Sequence, residues 1–250
     1  YIDNSRKGII RNNWIQSTND NYNRQYTPNY RAPGIGIAWG AEMNSYGVDS
    51  LVSDLDIYNN LILRTNTGIT WWRDPSNPFI NNSYKNINIY YNTIFDVFGW
   101  ETFHLDTHTT GVVTPTNCNF KNNIISMGQY PFDSTPPAYR EYISQSSHYQ
   151  FWNIDYNCFI NGNIPSVIPI QHNIIGAPSF VDSTNALIDT NFRIKSTSNC
   201  RFKAIPINGL TTDYWNLIRD NSLPCIGIHE FGGVSGLGHQ GNEIHTEYKF

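Results

Sequence analysis

GIIRNNWIQ (8–16), LDIYNNLIL (55–63), INIYYNTIF (87–95), CNFKNNIIS (118–126), WNIDYNCFI (152–160) and IPIQHNIIG (168–176) are six copies of one nine-residue pattern. Each carries an asparagine at the same place: Asn13, Asn60, Asn92, Asn123, Asn157 and Asn173. Three residues before it stand Ile10, Ile57, Ile89, Phe120, Ile154 and Ile170, and two residues after it stand Ile15, Ile62, Ile94, Ile125, Phe159 and Ile175. Apolar residues in alternation mark a strand with one buried face. The alternation changes phase at the asparagine, a residue that tolerates left-handed backbone, so the asparagine is expected at a corner between two strands. If successive coils stack ~4.8 Å apart, the six side chains form a column, each bonding the ones above and below.

The asparagines are 47, 32, 31, 34 and 16 residues apart, so coils carry loops of different length. The last interval is too short for a full coil of this size, which predicts that the final copy sits on a different face. A propeller or sandwich also has many short strands, but neither requires one asparagine per repeat at a fixed corner. The expected fold is therefore all-β, a right-handed parallel β-helix, and the chain is read as a C-terminal portion with its cap. A second set of strands supports it: GIGIAWG at 34, GITWWRD at 68 and TFHLDTH at 102. Aligning Ile35 with Ile69 and Phe103 puts Gly36, Thr70 and His104 in one outward row. Ala38, Trp72 and Asp106 then form the next, followed by Gly40, Asp74 and His108.

Asp, Glu, Lys and Arg make up only 14% of the chain, against roughly 25% in ordinary soluble domains. Its 33 Asn, 18 Gly and 16 Tyr supply the polarity instead. A surface of neutral hydrogen-bonding groups suits a partner such as polysaccharide or a neighbouring subunit. A net charge of -4 without a Lys/Arg block argues against nucleic acid and against an anionic membrane. No apolar run approaches the ~18 residues of a membrane span, and YIDNSRKGII lacks the order of a signal peptide. The chain thus reads as a soluble piece of a longer extracellular or cell-surface protein. Cys118, Cys158, Cys200 and Cys225 show no metal-binding spacing. Cys200 with Cys225 is the favoured disulfide, and four buried thiols are the alternative.

Further along lie APSFVD at 177, NFRIKSTSNC at 191, TDYWNLIRD at 212 and PCIGIHEF at 224. With the repeats, these segments resemble the pectin-lyase-like superfamily of right-handed parallel β-helices, in particular secreted or surface proteins of bacteria with a C-terminal closing segment. Asn199 and Asn216 depart from that pattern, where Pro and Gly are usual. The resemblance implies fold far more than chemistry, because the superfamily holds lyases, hydrolases, phage spikes and adhesins. Residues 1–176 are then the coils and 177–231 a closing segment of the same domain, needed because a solenoid end exposes core and strand edges. Asp213, Arg219 and Glu230 are expected to brace it. Residues 232–250 read as a Gly-rich connection and a terminal strand in which Ile244, Thr246, Tyr248 and Phe250 alternate with polar residues.

The candidate ligand-binding residues are Trp72, Asp74, His104, Asp106 and His108 on the rows above, with Trp100 and Arg73 beside them. His-x-Asp-x-His on one strand suits a divalent metal or a charged row facing sugar, with Trp72 as a stacking platform. The bland alternative is that outward strand positions are polar anyway. Asp54 and Asp56 alternate ahead of Asn60 and suit calcium with a third ligand, or simply a solvated face. No complete catalytic set can be assembled and no cofactor is expected. The function expected is therefore a non-catalytic surface module for glycan binding or appendage assembly, with a polysaccharide lyase or hydrolase and a phage-type spike as alternatives.

Overall fold

In the computed structural model, the described residues are 2–3, 5–16, 34–41, 52–73, 84–97, 102–105, 115–128, 147–161, 164, 166, 168, 171–185 and 187–234, without the side chains of 3, 41, 72 and 73. Fifteen strands occur among them. In chain order they are β1 (Ile2–Asp3), β2 (Arg6–Arg11), β3 (Trp14–Gln16), β4 (Ile35–Ala41), β5 (Val52–Tyr58), β6 (Leu61–Leu63), β7 (Thr67–Arg73) and β8 (Tyr84–Tyr90). There follow β9 (Thr93–Val97), β10 (Phe103–Leu105), β11 (Cys118–Lys121), β12 (Ile124–Met127), β13 (Trp152–Asp155), β14 (Cys158–Ile160) and β15 (Ile174–Ile175). They pair, always parallel, into sheet A (β1-β4-β7-β10), sheet B (β2-β5-β8-β11-β13) and sheet C (β3-β6-β9-β12-β14-β15). From β1 to β12 the chain visits A, B and C in turn and returns one position along each sheet, and β13 to β15 extend B and C, which is a parallel β-helix.

The asparagine column forms as expected, between sheets B and C. In each rung the backbone N–H and the Nδ2 of one asparagine both donate to the Oδ1 of the next. The Nδ2 to Oδ1 distances are 2.9 Å from Asn13 to Asn60, 2.9 Å from Asn60 to Asn92 and 3.0 Å from Asn92 to Asn123. They continue at 3.1 Å from Asn123 to Asn157 and 3.3 Å from Asn157 to Asn173. Asn173 therefore stands on the same corner as the others, correcting the expectation of a different face: the last coil is merely shorter. The left-handed residue is not the ladder asparagine but the one before it: Asn12, Asn59, Tyr91, Asn122 and Tyr156 have φ of 54–61°. That residue makes the turn, so the ladder side chain can point inward.

Inside, Ile57, Ile62, Ile89, Ile94, Phe120, Ile125, Ile154 and Phe159 are buried, as the repeat requires. Ile10 and Ile15 of the first coil are only partly so, and Ile175 of the last is 68% exposed, because stacking covers an end coil on one side only. Aromatics fill the space between sheets A and B: Trp39 packs on Phe103, Trp71 on Tyr84, and Phe103 stacks on Phe120 at 4.6 Å. Trp152 donates its Nε1–H to the Tyr84 hydroxyl at 3.0 Å, so a buried polar tip is satisfied.

Sheet C is apolar on both faces, and its outer face carries a second core. Leu61, Leu63, Tyr91, Ile124, Cys158 and Ile160 meet Phe180, Phe192, Ile194, Ile226 and Ile228 of the C-terminal segment. That segment lies along the flank of the helix, a wider role than closing its end. The turn residues form its docking rail. Asn12 Nδ2 donates to the Tyr214 carbonyl, Asn59 Nδ2 to that of Thr212, and the Tyr91 hydroxyl and Asn122 Nδ2 to that of Ile205.

Asp213, Arg219 and Glu230 brace this segment as expected, and all three are buried. Arg219 donates to Glu230, to the carbonyls of Thr212, Cys225 and Gly227, and to Asn59 Oδ1 of the rail, with its guanidinium 3.9 Å from the centre of the Tyr91 ring. Asp213 accepts the N–H groups of Trp215, Leu217 and Glu230. Two carboxylates share one guanidinium, and burial outweighs their hydrogen bonds, raising both carboxyl pKa values. Such a network breaks expensively when one partner is removed.

All four cysteines are free and buried, which corrects the Cys200–Cys225 disulfide. Their backbones run side by side, with Ile226 N–H donating to the Cys200 carbonyl at 2.9 Å, but the Cys200 thiol faces that of Cys158 while Cys225 faces Glu230. Their place in one C-terminal segment of the sequence suggested the pair; side-chain direction decides against it.

Candidate functional site

On sheet A, β10 pairs with β7 so that His104 stands opposite Thr70, as expected. The β4 register differs by two residues. Ile37, not Ile35, pairs with Ile69, so the row is Ala38–Thr70–His104, and Gly40 stands opposite Trp72. The backbones approach closely here: a Cβ at Gly36 would clash with the Gly68 carbonyl oxygen, and one at Gly68 with that of Thr102. Gly34 and Gly36 both meet the requirement for glycine at this approach, and Gly36 occupies it. Trp39 then falls beside Trp71 in the core.

Ala38 and Thr70 are 7% and 2% exposed, and His104 is half-buried, so this part of the row is not an open surface. Trp72 and Arg73 are placed by backbone alone, in register with Gly40 and Ala41. Asp74, Trp100, Asp106 and His108 lie outside the described residues, as does residues 235–250 with the alternating terminal segment. Among the described residues no group of three or more His, Cys, Asp or Glu side chains is placed to hold a metal ion.

Sheet B presents the contrast. Its outer face carries three rows running across the coils, of which only Asp54 and Asp56 drew attention in the sequence. The first is Lys7, Asp54, Asn86 and Asn117, each with φ between 54 and 68°, a left-handed kink repeated in register at one level of the stack. The second is Ile9, Asp56, Asn88, Asn119 and Asn153, and the third is Arg11, Tyr58, Tyr90, Lys121 and Asp155.

Two of these rows are amide ladders. Asn117 Nδ2 donates to Asn86 Oδ1 at 2.8 Å, and Asn86 Nδ2 to Asp54 Oδ1 at 2.7 Å. Beside them Asn119 Nδ2 donates to Asn88 Oδ1 and Asn88 Nδ2 to Asp56 Oδ1, both at 2.9 Å. Each ladder ends on a carboxylate of the second coil. The Asp54 carboxyl is held below its ordinary range first by Asn86 and then by Ser53, whose hydroxyl bonds Oδ2. Asp54 and Asp56 thus anchor amides, a role that the spacing of two aspartates did not suggest. Tyr90 donates its hydroxyl to Asn88 Oδ1 at 3.0 Å, and burial, with the nearby Asp56, pushes its phenol up to about 12, so it stays a donor. At the far end Asp155 Oδ2 lies 2.8 Å from His172 Nδ1, and the imidazole stacks on Tyr156.

What this arrangement can do is bind. It offers fixed donors and acceptors on three successive coils, with aromatic edges alongside. Most members are neither deeply buried nor loose, since each side chain is held by its neighbour. The signal in the sequence was Asn at 86, 88, 117 and 119, two and two, but only register could show that they stack. No known family model matches this sequence, and no curated protein or solved structure matches it either.

Proposed function

We propose that this protein is a non-catalytic β-helix module of the pectin-lyase-like type, working outside the cell or on its surface, and that it binds glycan through the outer face of sheet B. The observation that supports this reading is the contrast among the three faces. Sheet C is covered by the C-terminal segment, the described row of sheet A is largely buried, and sheet B is accessible and carries two amide ladders. Sugar recognition needs directed hydrogen bonds on a surface that does not rearrange, and a stack of parallel strands supplies both. The residues around Trp72 and His104 on sheet A are a second candidate region for the same partner.

A glycan array with uncharged and acidic polysaccharides tests the reading, together with an assay for reducing ends and unsaturated products. Binding without degradation is expected. Failure to bind any glycan would remove the proposal, and degradation would replace it with a lyase or hydrolase.

A further inference from the structure

We infer that the ligand of sheet B is a linear, uncharged polysaccharide lying along the stack of coils, held by Asn86, Asn88, Asn117 and Asn119, with Tyr58 as an apolar contact. This rests on the glycan-binding reading and narrows it to a ligand class and a direction.

The inference follows from the unused hydrogen-bonding capacity of the ladders. A carboxamide has two N–H donors and two acceptor lone pairs. Asn86 spends one N–H on Asp54 and one lone pair on Asn117. Asn88 spends one N–H on Asp56 and both lone pairs, on Asn119 and on the Tyr90 hydroxyl. Asn117 and Asn119 each spend one N–H. Among the described residues, nothing takes up the second N–H of any of the four or the remaining lone pairs of Asn86, Asn117 and Asn119. A hydroxyl group both donates and accepts, so it uses both kinds of spare site. A carboxylate or phosphate only accepts, leaves the lone pairs unused, and meets the Asp54 and Asp56 carboxylates at the second-coil end of both ladders.

The charges on this face do not override that preference. Lys7 and Lys85 act on Asp54, Arg11 bonds the Tyr58 hydroxyl at 3.4 Å, and Lys121 stands opposite Asp155 in the third row. Positive and negative groups are interspersed, so no single sign is offered to a polyanion.

Direction comes from spacing. The rows cross the coils at ~4.8 Å per coil, and the two ladders are ~6.7 Å apart along the strands. A chain laid along a ladder meets three fixed polar groups on successive coils, Asp54, Asn86 and Asn117 or Asp56, Asn88 and Asn119, whereas one laid across the ladders meets only two. Because the amides hold one another, little side-chain freedom is lost on binding.

Affinity electrophoresis in gels containing hydroxyethylcellulose, xyloglucan, galactomannan or dextran, against gels containing polygalacturonate or alginate, reads the ligand class. Retardation by at least one uncharged polymer and by neither acidic one is expected. For the polymer that binds, titration with its oligosaccharides should show affinity rising until the chain spans the laddered coils and then levelling. The Asn88→Ala/Asn119→Ala pair should weaken binding by about tenfold or more. Asn117→Ala, at an exposed ladder end where folding is not at stake, should weaken it less. Retardation by acidic polymers alone overturns this inference and leaves the glycan-binding reading standing. Binding of an uncharged polymer that is unchanged in both variants moves the site elsewhere and also overturns it. A protein retarded by none of the six polymers, and bound by nothing on the array, loses both.

Discussion

Truncating Asn92 to alanine should cost far more stability than the same change at Asn13, although both are rungs of one ladder. Asn92 is fully buried. Its Oδ1 accepts the Asn60 backbone N–H at 3.0 Å and Asn60 Nδ2 at 2.9 Å, and its Nδ2 donates to the Ile57 carbonyl and to Asn123 Oδ1, both at 3.0 Å. After truncation Asn123 Oδ1 keeps the backbone N–H of residue 92, and Asn60 Nδ2 keeps the Ile10 and Tyr58 carbonyls. The Asn60 N–H is left with no replacement. One stranded buried donor at ~1–3 kcal/mol and three lost hydrogen bonds at ~0.5–1.5 kcal/mol each give roughly 2.5–7.5 kcal/mol. Asn13 is exposed, and Asn60 Oδ1 keeps the Asn13 N–H at 3.1 Å, so Asn13→Ala should cost about 0.5–1 kcal/mol. Asn92→Asp keeps the acceptor but places a carboxylate against the Ile57 carbonyl and Asn123 Oδ1, and should be worse than alanine at neutral pH. Urea unfolding followed by tryptophan fluorescence and far-UV circular dichroism measures all three. Coincident transitions are required, since stacked repeats can lose cooperativity. Equal costs at the two positions, or less than ~1 kcal/mol at Asn92, would refute the claim that buried rungs satisfy groups nothing else reaches.

Two further outcomes concern the C-terminal segment. His229 Nδ1 accepts the Ile194 N–H at 3.1 Å, and burial, then Arg193 and Arg219, hold its pKa down to about 4. The unfolded imidazole protonates near ~6.5, so this stabilisation is whole above that pH and is lost as pH falls toward 4, by at most about 3 kcal/mol. His229→Gln, which keeps an acceptor, should flatten the wild-type difference between pH 7 and pH 4.5 in urea midpoints; an unchanged difference counts against the contact. Burial raises the thiols of Cys118 to about 12 and of Cys225 to about 11, and, after the contact with Cys158, that of Cys200. An aromatic disulfide reagent should therefore titrate none of the four in the folded protein and all four in denaturant without reductant, and a count of two would restore the disulfide.

How far the sequence could be read varied with the kind of interaction involved. The strands flanking each asparagine, the corner between them and the ladder were legible because each repeat states its own pattern. The Asp213–Arg219–Glu230 brace was legible because the three residues stand in the closing-segment motifs TDYWNLIRD and PCIGIHEF. The β4 register was not. GIGIAWG has glycine at 34, 36 and 40, and either of the first two meets the close approach to Gly68 in the next coil, so nothing within the segment chooses between them. The sheet B ladders were missed for a related reason. Asn86 and Asn88 look like ordinary solvated positions until Asn117 and Asn119 are brought beside them.

By itself, then, the sequence determined what is local and periodic: which residues face inward, where strands turn, and that parallel coils stack with asparagine at one corner. Period-2 alternation and backbone tolerance act within a few residues and can be read from one repeat at a time. Tertiary structure alone decided which outer face stays open, that the C-terminal segment lies along sheet C, that Cys200 faces Cys158 and not Cys225, and that two aspartates anchor amides. Those outcomes depend on groups from different coils meeting at distances of about 3 Å, and a shift of two residues in one strand preserves every alternation in the sequence while changing every such meeting.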